Sequence, residues 1–224
     1  MKITIYVLVE GPTEKRFVDE ILNPHLKARN IRIEAIILKT REDPNIPAYR
    51  GGTIKYNKAK KQLNELLRCR NTYVTTMLDF YALHPTFWEN VKLCGKSVEK
   101  ATQIEQHMLN DIDHERRFIP YIQLHEFEGL LFSSPNSIAS QFDNTEKLEI
   151  KLNKIKKQFR TPEEINNNPN TCPSSRLERL CKYVKPFHGP LIAKRIGLEI
   201  IRSECPHFNE WLSKLENLSD LIAN

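Results

Sequence analysis

The 224-residue chain predicts an α/β fold with a mostly parallel sheet flanked by helices and a C-terminal helical extension. Three observations predict it. Apolar runs alternate with amphipathic helical stretches through residues 1–132, the pattern of successive βαβ units. The first run, Ile3 to Val9, has few polar breaks, as expected of a strand buried on both faces. After Ser133 only helical patterns continue. The division is therefore an α/β domain, residues 1–132, with a helical extension, residues 133–224, packed on it.

Taken in order, the strand Ile3 to Val9 is followed by a helix that Thr13 can cap. Its apolar face is Phe17, Val18, Ile21, Leu22 and Leu26. RIEAIIL (32–38) is the second strand. A loop with three Pro or Gly clusters fills 39–56, and Ala59, Leu63, Leu66 and Leu67 mark a helix over 57–70. YVTTML (73–78) is the third strand and Asp79 follows it at once. A polar helix spans 97–115. FIPYIQL (118–124) is the fourth strand, leading through His125-Glu126-Phe127-Glu128 into GLLF. Further helices are expected at 145–159, 174–184, 190–204 and 207–216. INNNPN (165–170) reads as a flexible polar loop.

Charge and composition bound the partners. The net charge is +6, with 20 Lys+Arg against 17 acids before Ser133 and 14 against 11 after it. A diffuse positive balance without a basic tail is compatible with a polyanion. No apolar stretch approaches the roughly 20 residues that span a membrane, and Glu10 interrupts the N-terminal run, which is unlike a leader. The five cysteines are widely spaced and form no CxxC pair. That pattern argues against a zinc knuckle or disulfide framework and suits free thiols in the cytoplasm. CGKS (94–97) lacks the upstream glycine of a phosphate-binding P-loop.

The acids stand out by position. In a parallel sheet, ligands bind beyond the carboxyl ends of the strands. The first strand ends at Glu10, the third at Asp79, and the fourth at His125, Glu126 and Glu128. Singly, each acid reads as a solvated turn residue. Gathered on one edge they repel, and a divalent cation such as Mg²⁺ or Mn²⁺ relieves that repulsion while keeping water positions open for phosphate. Glu126 and Glu128 share a face only if HEFE is extended. A helix starting at Glu126 would separate them. His125 is a candidate ligand or base, or a structural histidine. Seven basic residues lie between Lys39 and Lys61, around Gly51-Gly52. Arg50, Lys55 and Lys58 among them are candidate phosphate contacts. Arg176, beside Ser174 and Ser175 at a helix start, is another, although Ser175 and Glu178 equally suit a capping box.

These residues resemble a known group. VLVEGPTEKRFV is similar to the first motif of Toprim domains, the fold of topoisomerases, primases and OLD-family nucleases. TTMLDFYAL resembles their Asp-x-Asp motif. RGGTIKYNKAKKQL, YVTTMLDFYAL, IQLHEFEGLLF, CPSSRL and IRSECPHFNEWL together resemble a prokaryotic domain-of-unknown-function family placed among Toprim-like proteins, over nearly the whole chain. The resemblance implies a metal-dependent nuclease with Glu10 as acid/base or metal-linked residue and Asp79 as metal ligand. It also implies a bacterial phage-defence effector working with an ABC- or SMC-like ATPase, and a homodimer is possible. One position departs: Tyr81 stands where the second acid of Asp-x-Asp is expected, and Glu126 or Glu128 would have to supply the missing oxygen. Two other readings compete: a degenerate module that binds nucleic acid, nucleotide or the ATPase without cutting, and a phosphohydrolase for small phosphoesters.

Overall fold

The computed structural model describes residues 3–39, 54–112, 115–165, 168 and 170–219. Its centre is β1 (Ile3–Val9), which pairs in parallel with β2 (Ile31–Ile37) on one side and β3 (Thr72–Asp79) on the other. β3 continues to β4 (Phe118–Ile119) and β5 (Ile122–Gln123), again in parallel. The expected fourth strand is thus present in two pieces. Pro120 has no N–H for the ladder, and Thr76 bridges the gap. Its hydroxyl donates to the Tyr121 carbonyl (2.7 Å) and accepts from the Tyr121 N–H (2.9 Å).

Because the pairs are parallel, all carboxyl ends share one edge. Val9 is level with Met77, so Glu10 falls beside Leu78, one residue from Asp79. Asp79 in turn is level with Gln123, three residues before Glu126. Register alone therefore collects the three strand-end acids.

Helices cover both faces of the sheet. On one face, α1 (Pro12–Phe17) runs through a π-helical turn, Val18–Leu22, into α2 (Asn23–Lys27). The widened turn ends just before Pro24, which cannot donate a helical hydrogen bond. The cap differs from expectation. Gly11, not Thr13, is the N-cap, and Thr13 is buried. On the opposite face, α3 (Tyr56–Leu67) and α4 (Ser97–Asp111) bury Ala59, Leu63, Ile104 and Met108 against Leu8, Val74 and Leu78.

After β5 the described residues are helical, as expected: α5 (Glu128–Leu131), α6 (Pro135–Ala139), α7 (Thr145–Lys156), α8 (Pro173–Leu180), α9 (Lys185–Ile196), α10 (Leu198–Glu204) and α11 (Pro206–Glu216). Several boundaries differ from the sequence reading: α4 ends at Asp111 rather than 115, α7 at Lys156 rather than 159 and α8 at Leu180 rather than 184, and two more have a visible cause. Gly197, at φ 82, breaks the single helix expected over 190–204. α9 also begins five residues before Pro190, because the Pro186 carbonyl left without its helical donor accepts from Arg16 Nη1 at 2.9 Å instead. Of INNNPN, residues 166, 167 and 169 lie outside the described residues.

The helical segment shares its core with the sheet. Phe208, Trp211 and Leu212 of α11 join Ile5, Val7, Phe17 and Tyr121 in one apolar cluster. The Trp211 ring stacks on Tyr121 (4.4 Å, 12°), and its Nε1 donates to Thr75 Oγ1 at 2.8 Å. All five cysteines are free thiols. Among the described residues, no helix is long and apolar enough to cross a membrane.

Thr76→Val keeps the shape but leaves the Tyr121 N–H and carbonyl unpaired in the core. It is expected to lower stability by about 1–3 kcal/mol in urea unfolding, with Thr76→Ser close to wild type.

Candidate active site

Each strand end delivers its acid differently. β1 releases Glu10 directly into the Gly11–Pro12 turn. One turn into α1, Glu14 reaches back, and its carboxylate accepts the Gly11 N–H at 2.9 Å. Glu14 is buried, and Glu10 keeps a buried oxygen, Oε2, without a hydrogen-bond partner. β3 ends in Asp79, whose Oδ1 accepts the Phe127 N–H at 3.0 Å. That bond ties the third strand end to the turn after the fourth.

The turn is made by His125, which adopts φ 59 in the left-handed region. HEFE is therefore neither extended nor helical from Glu126, because α5 starts at Glu128. Both glutamates nonetheless reach one cation. Lys185 Nζ lies 3.4 Å from Glu126 Oε1 and 3.4 Å from Glu128 Oε2. Glu126 is also clasped by Ser174, whose backbone N–H (3.0 Å) and hydroxyl (2.9 Å) each donate to it. Glu128 accepts from the Tyr183 hydroxyl at 3.0 Å and is 1% exposed. Ser174 is the second residue of α8 and Lys185 the first of α9. The anion site expected at the start of α8 thus holds a carboxylate of this same chain. The Ser175–Glu178 capping box does not form; Cys172 is the N-cap.

Electrostatics bind the group into a unit. Burial, then Glu14, pushes the Glu10 carboxyl up to about 8, with Lys185 opposing. Burial, then Glu10, Glu14 and Glu128, holds Asp79 well above the usual carboxylate range. Burial raises Glu14, and raises Glu128 to about 7 against the pull of Lys185. Burial disfavours the Lys185 ammonium, but Glu128, Glu126 and Asp79 outweigh it and its pKa rises. His125 is driven by burial down to about 4 and is a neutral imidazole; its Nδ1 is buried and unpartnered.

The oxygen-rich donor set suits a hard divalent cation, and Glu10 Oε2 is an unused buried acceptor. As they stand, however, no three His, Cys, Asp or Glu side chains among the described residues are arranged to hold a metal ion. Ser174, Tyr183 and Lys185 already engage Glu126 and Glu128, and Phe127 engages Asp79.

The sequence matches one described family. Residues 9–216 fit the domain of unknown function DUF4276. The chain belongs to that family. The matched span includes every residue of the acidic cluster and Lys185. No curated protein and no solved structure matches the chain.

The basic candidates of this DUF4276 chain sit apart from the acids. Lys55 is exposed at the N-cap of α3, directly after Ile54, which bonds Ala82 and His84 just beyond Asp79. Lys58 is half-buried in the first turn of α3, and Arg50 lies outside the described residues. Arg176 is half-buried, with its guanidinium 5.8 Å over the Phe159 ring.

Glu14, Tyr183 and Lys185 escaped the sequence reading. Glu14 carried a usable signal, an acid three residues after a helix-starting glycine. Lys185 carried a subtler one. It opens a helix, where the dipole disfavours cations, a small cost that acidic partners would offset.

A carboxyl that holds its proton in the folded state but loses it near pH 4.5 when unfolded stabilises the fold at low pH. That stabilisation is lost as pH rises through the folded pKa. In metal-free protein, stability is expected to fall between pH 5 and 8, by up to about 1.4 kcal/mol per pH unit for each carboxyl still protonated. Glu10→Gln is expected to flatten that fall in chemical denaturation across the same pH range.

Proposed function

We propose that this chain is a metal-dependent phosphodiester hydrolase acting on DNA or RNA, with Mg²⁺ or Mn²⁺ as cofactor. The observation that carries the reading is the meeting of acids from separate strand ends, Glu10, Asp79, Glu126 and Glu128, in one buried cluster on the carboxyl edge of a parallel sheet. A cluster that must hold protons to stay buried is a poor way to stabilise a fold, and it is the arrangement a divalent cation stabilises.

A divalent cation bound there would polarise the phosphodiester and acidify a water molecule. The chain's own residues do the rest. Glu10 and Asp79 hold the ion. Burial favours a protonated Glu10 in the ion-free protein, so Glu10 acts as a ligand only after it gives up that proton. Ser174 fixes the orientation of Glu126, which stands at the next strand end to complete the shell. Lys185 holds Glu126 and Glu128 in place and brings positive charge to the edge where phosphate arrives. Lys55, Lys58 and Arg50 are the residues proposed for backbone phosphates farther out. An ABC- or SMC-like ATPase partner and a homodimer belong to the same proposal.

A second reading, a binding module that does not cut, is favoured by two specific features. Lys185 already neutralises Glu126 and Glu128, and Tyr81 replaces an acid of the Asp-x-Asp motif. The two readings separate in one experiment. Glu10→Gln and Asp79→Asn are each expected to cut Mg²⁺- or Mn²⁺-dependent cleavage of labelled DNA or RNA by at least about a hundredfold, with the wild-type circular dichroism spectrum kept. Cleavage by both variants at the wild-type rate would remove the metal assignment. Steeply salt-dependent binding by a wild type that cleaves nothing would leave the module.

Ion binding must displace the protons on Glu10 and Asp79. Mn²⁺ affinity, read by calorimetry, is therefore expected to rise about tenfold per proton released for each pH unit between 6 and 8. A flat profile would place the ion elsewhere.

A further inference from the structure

The sheet has two edges, and they are built differently. At one, Pro120 and Tyr121 interrupt the strand and leave the short pieces β4 and β5. Short, broken edge strands keep a sheet from joining other chains. The other edge is β2, seven residues reading IRIEAII, without Pro, Gly or Lys. Among the described residues its strand partner is β1 alone. The Asn30 carbonyl accepts from Ile3, and the Leu38 N–H donates to Val9, both in β1. Backbone groups alternate in direction along a strand. The N–H and C=O groups of Arg32, Glu34 and Ile36 therefore also face β1, while those of Ile31, Ile33, Ala35 and Ile37 turn outward. Among the described residues no hydrogen bond reaches the outward groups.

The side chains of this edge are sorted by face. Ile31 and Ile33 are buried in the core, and Ala35 and Ile37 pack against it half-covered. On the other face Arg32 and Glu34 are open to solvent, with Arg32 Nε 2.7 Å from Glu34 Oε1. An exposed ion pair within one strand contributes little to stability. A single charge on an edge strand repels a second copy of the same chain. An Arg and a Glu two residues apart do the opposite, but in one register only.

That register follows from two-fold symmetry, in which the same patch serves both copies. With the axis at Ile33 and the strands antiparallel, Ile33 faces Ile33 of the second copy and Ile31 faces its Ala35. These are the outward-turned positions, so they form the hydrogen-bonded pairs. Arg32 then stands opposite Glu34 of the second copy in the closer, non-hydrogen-bonded pair, and symmetry repeats the contact. Moving the axis one residue either way sets Arg32 against Arg32, or Glu34 against Glu34, at that close distance. We propose that two copies of this chain join edge to edge through β2, antiparallel about Ile33, with Arg32 of each paired to Glu34 of the other. The inference deepens the homodimer of the proposed function, rests on that part of the reading, and makes no use of the metal. Because the joined strands run in opposite directions, the two acidic edges lie on opposite sides of the continuous sheet.

The test is sedimentation equilibrium of the whole chain over a series from about 1 to 100 µM, since dimer stability depends on protomer concentration. Wild type is expected to reach twice the mass of one chain. Arg32→Glu and Glu34→Arg each set like charges together and are expected to weaken association at least about tenfold. Mixed in equal amounts, these two variants are expected to dimerise with each other, because every facing pair is again of opposite charge. The double variant Arg32→Glu/Glu34→Arg is expected to associate within about threefold of wild type for the same reason. A monomeric wild type would overturn the inference and the homodimer together. A dimer that neither reversal weakens, or variants that do not recover on mixing, would place any homodimer elsewhere and overturn the β2 edge. Cleavage assays with Mn²⁺ keep the readings apart. A wild type that dimerises in this pattern but cuts nothing keeps the edge and removes the nuclease. A wild type that cuts as a monomer keeps the nuclease and removes the edge.

Discussion

Burying a carboxylate is costly unless it is protonated, hydrogen-bonded or paired with a cation. At the carboxyl edge of this sheet all three devices act on neighbouring side chains. Glu10 and Asp79 rely largely on protonation, Glu14 accepts a backbone amide, and Glu126 and Glu128 share Lys185. Much of the architecture serves that arrangement. α1 starts where Glu14 can reach Gly11, α8 starts where Ser174 can clasp Glu126, and α9 starts with Lys185. Losing a single partner would leave an uncompensated buried charge, an error worth about 3–5 kcal/mol. That is a large part of the stability of a typical domain.

The sheet explains why the acids meet at all. Parallel pairing sends every strand end to the same edge, and register then sets neighbours to within one residue. The weak point is Pro120, which interrupts the fourth strand between Ile119 and Tyr121. Thr76 repairs the ladder there and Thr75 receives the Trp211 indole, so α11 is coupled to the strand that carries Asp79. The helical segment after β5 is thus part of the scaffold of the site. It supplies Ser174, Tyr183 and Lys185, and its apolar residues share the core under β1.

A cluster of this kind costs stability, and the proposed chemistry gives a reason to keep it. Apolar side chains of the same volume would pack the edge at lower cost. Several retained carboxyls, with an oxygen of Glu10 and a nitrogen of His125 buried without hydrogen-bond partners, are departures from a well-satisfied core of the kind that support the proposed site.

The strands were legible because a strand buried on both faces must be apolar along its length. Ile3 to Val9 matched its sequence pattern at both ends, and β2 and β3 fell within one residue of theirs. The position of Glu10, Asp79 and Glu126 at strand ends followed from the same logic. Caps and breaks were less legible. Thr13 and Ser175 satisfy the rules for an N-cap, yet Gly11 and Cys172 occupy those places because buried glutamates supply the acceptors. Pro190 reads as a helix start until Arg16, distant in sequence, is seen to satisfy the Pro186 carbonyl. Lys185 is the clearest case. Its charge is visible in the chain, but its partners lie more than fifty residues away and depend on how α8 and α9 dock. Which side chains end each strand can be read from the chain, because local periodicity sets the pleat and its limits. Which cation and which amides those side chains meet cannot, because that pairing is made by packing between segments with no local rule in common.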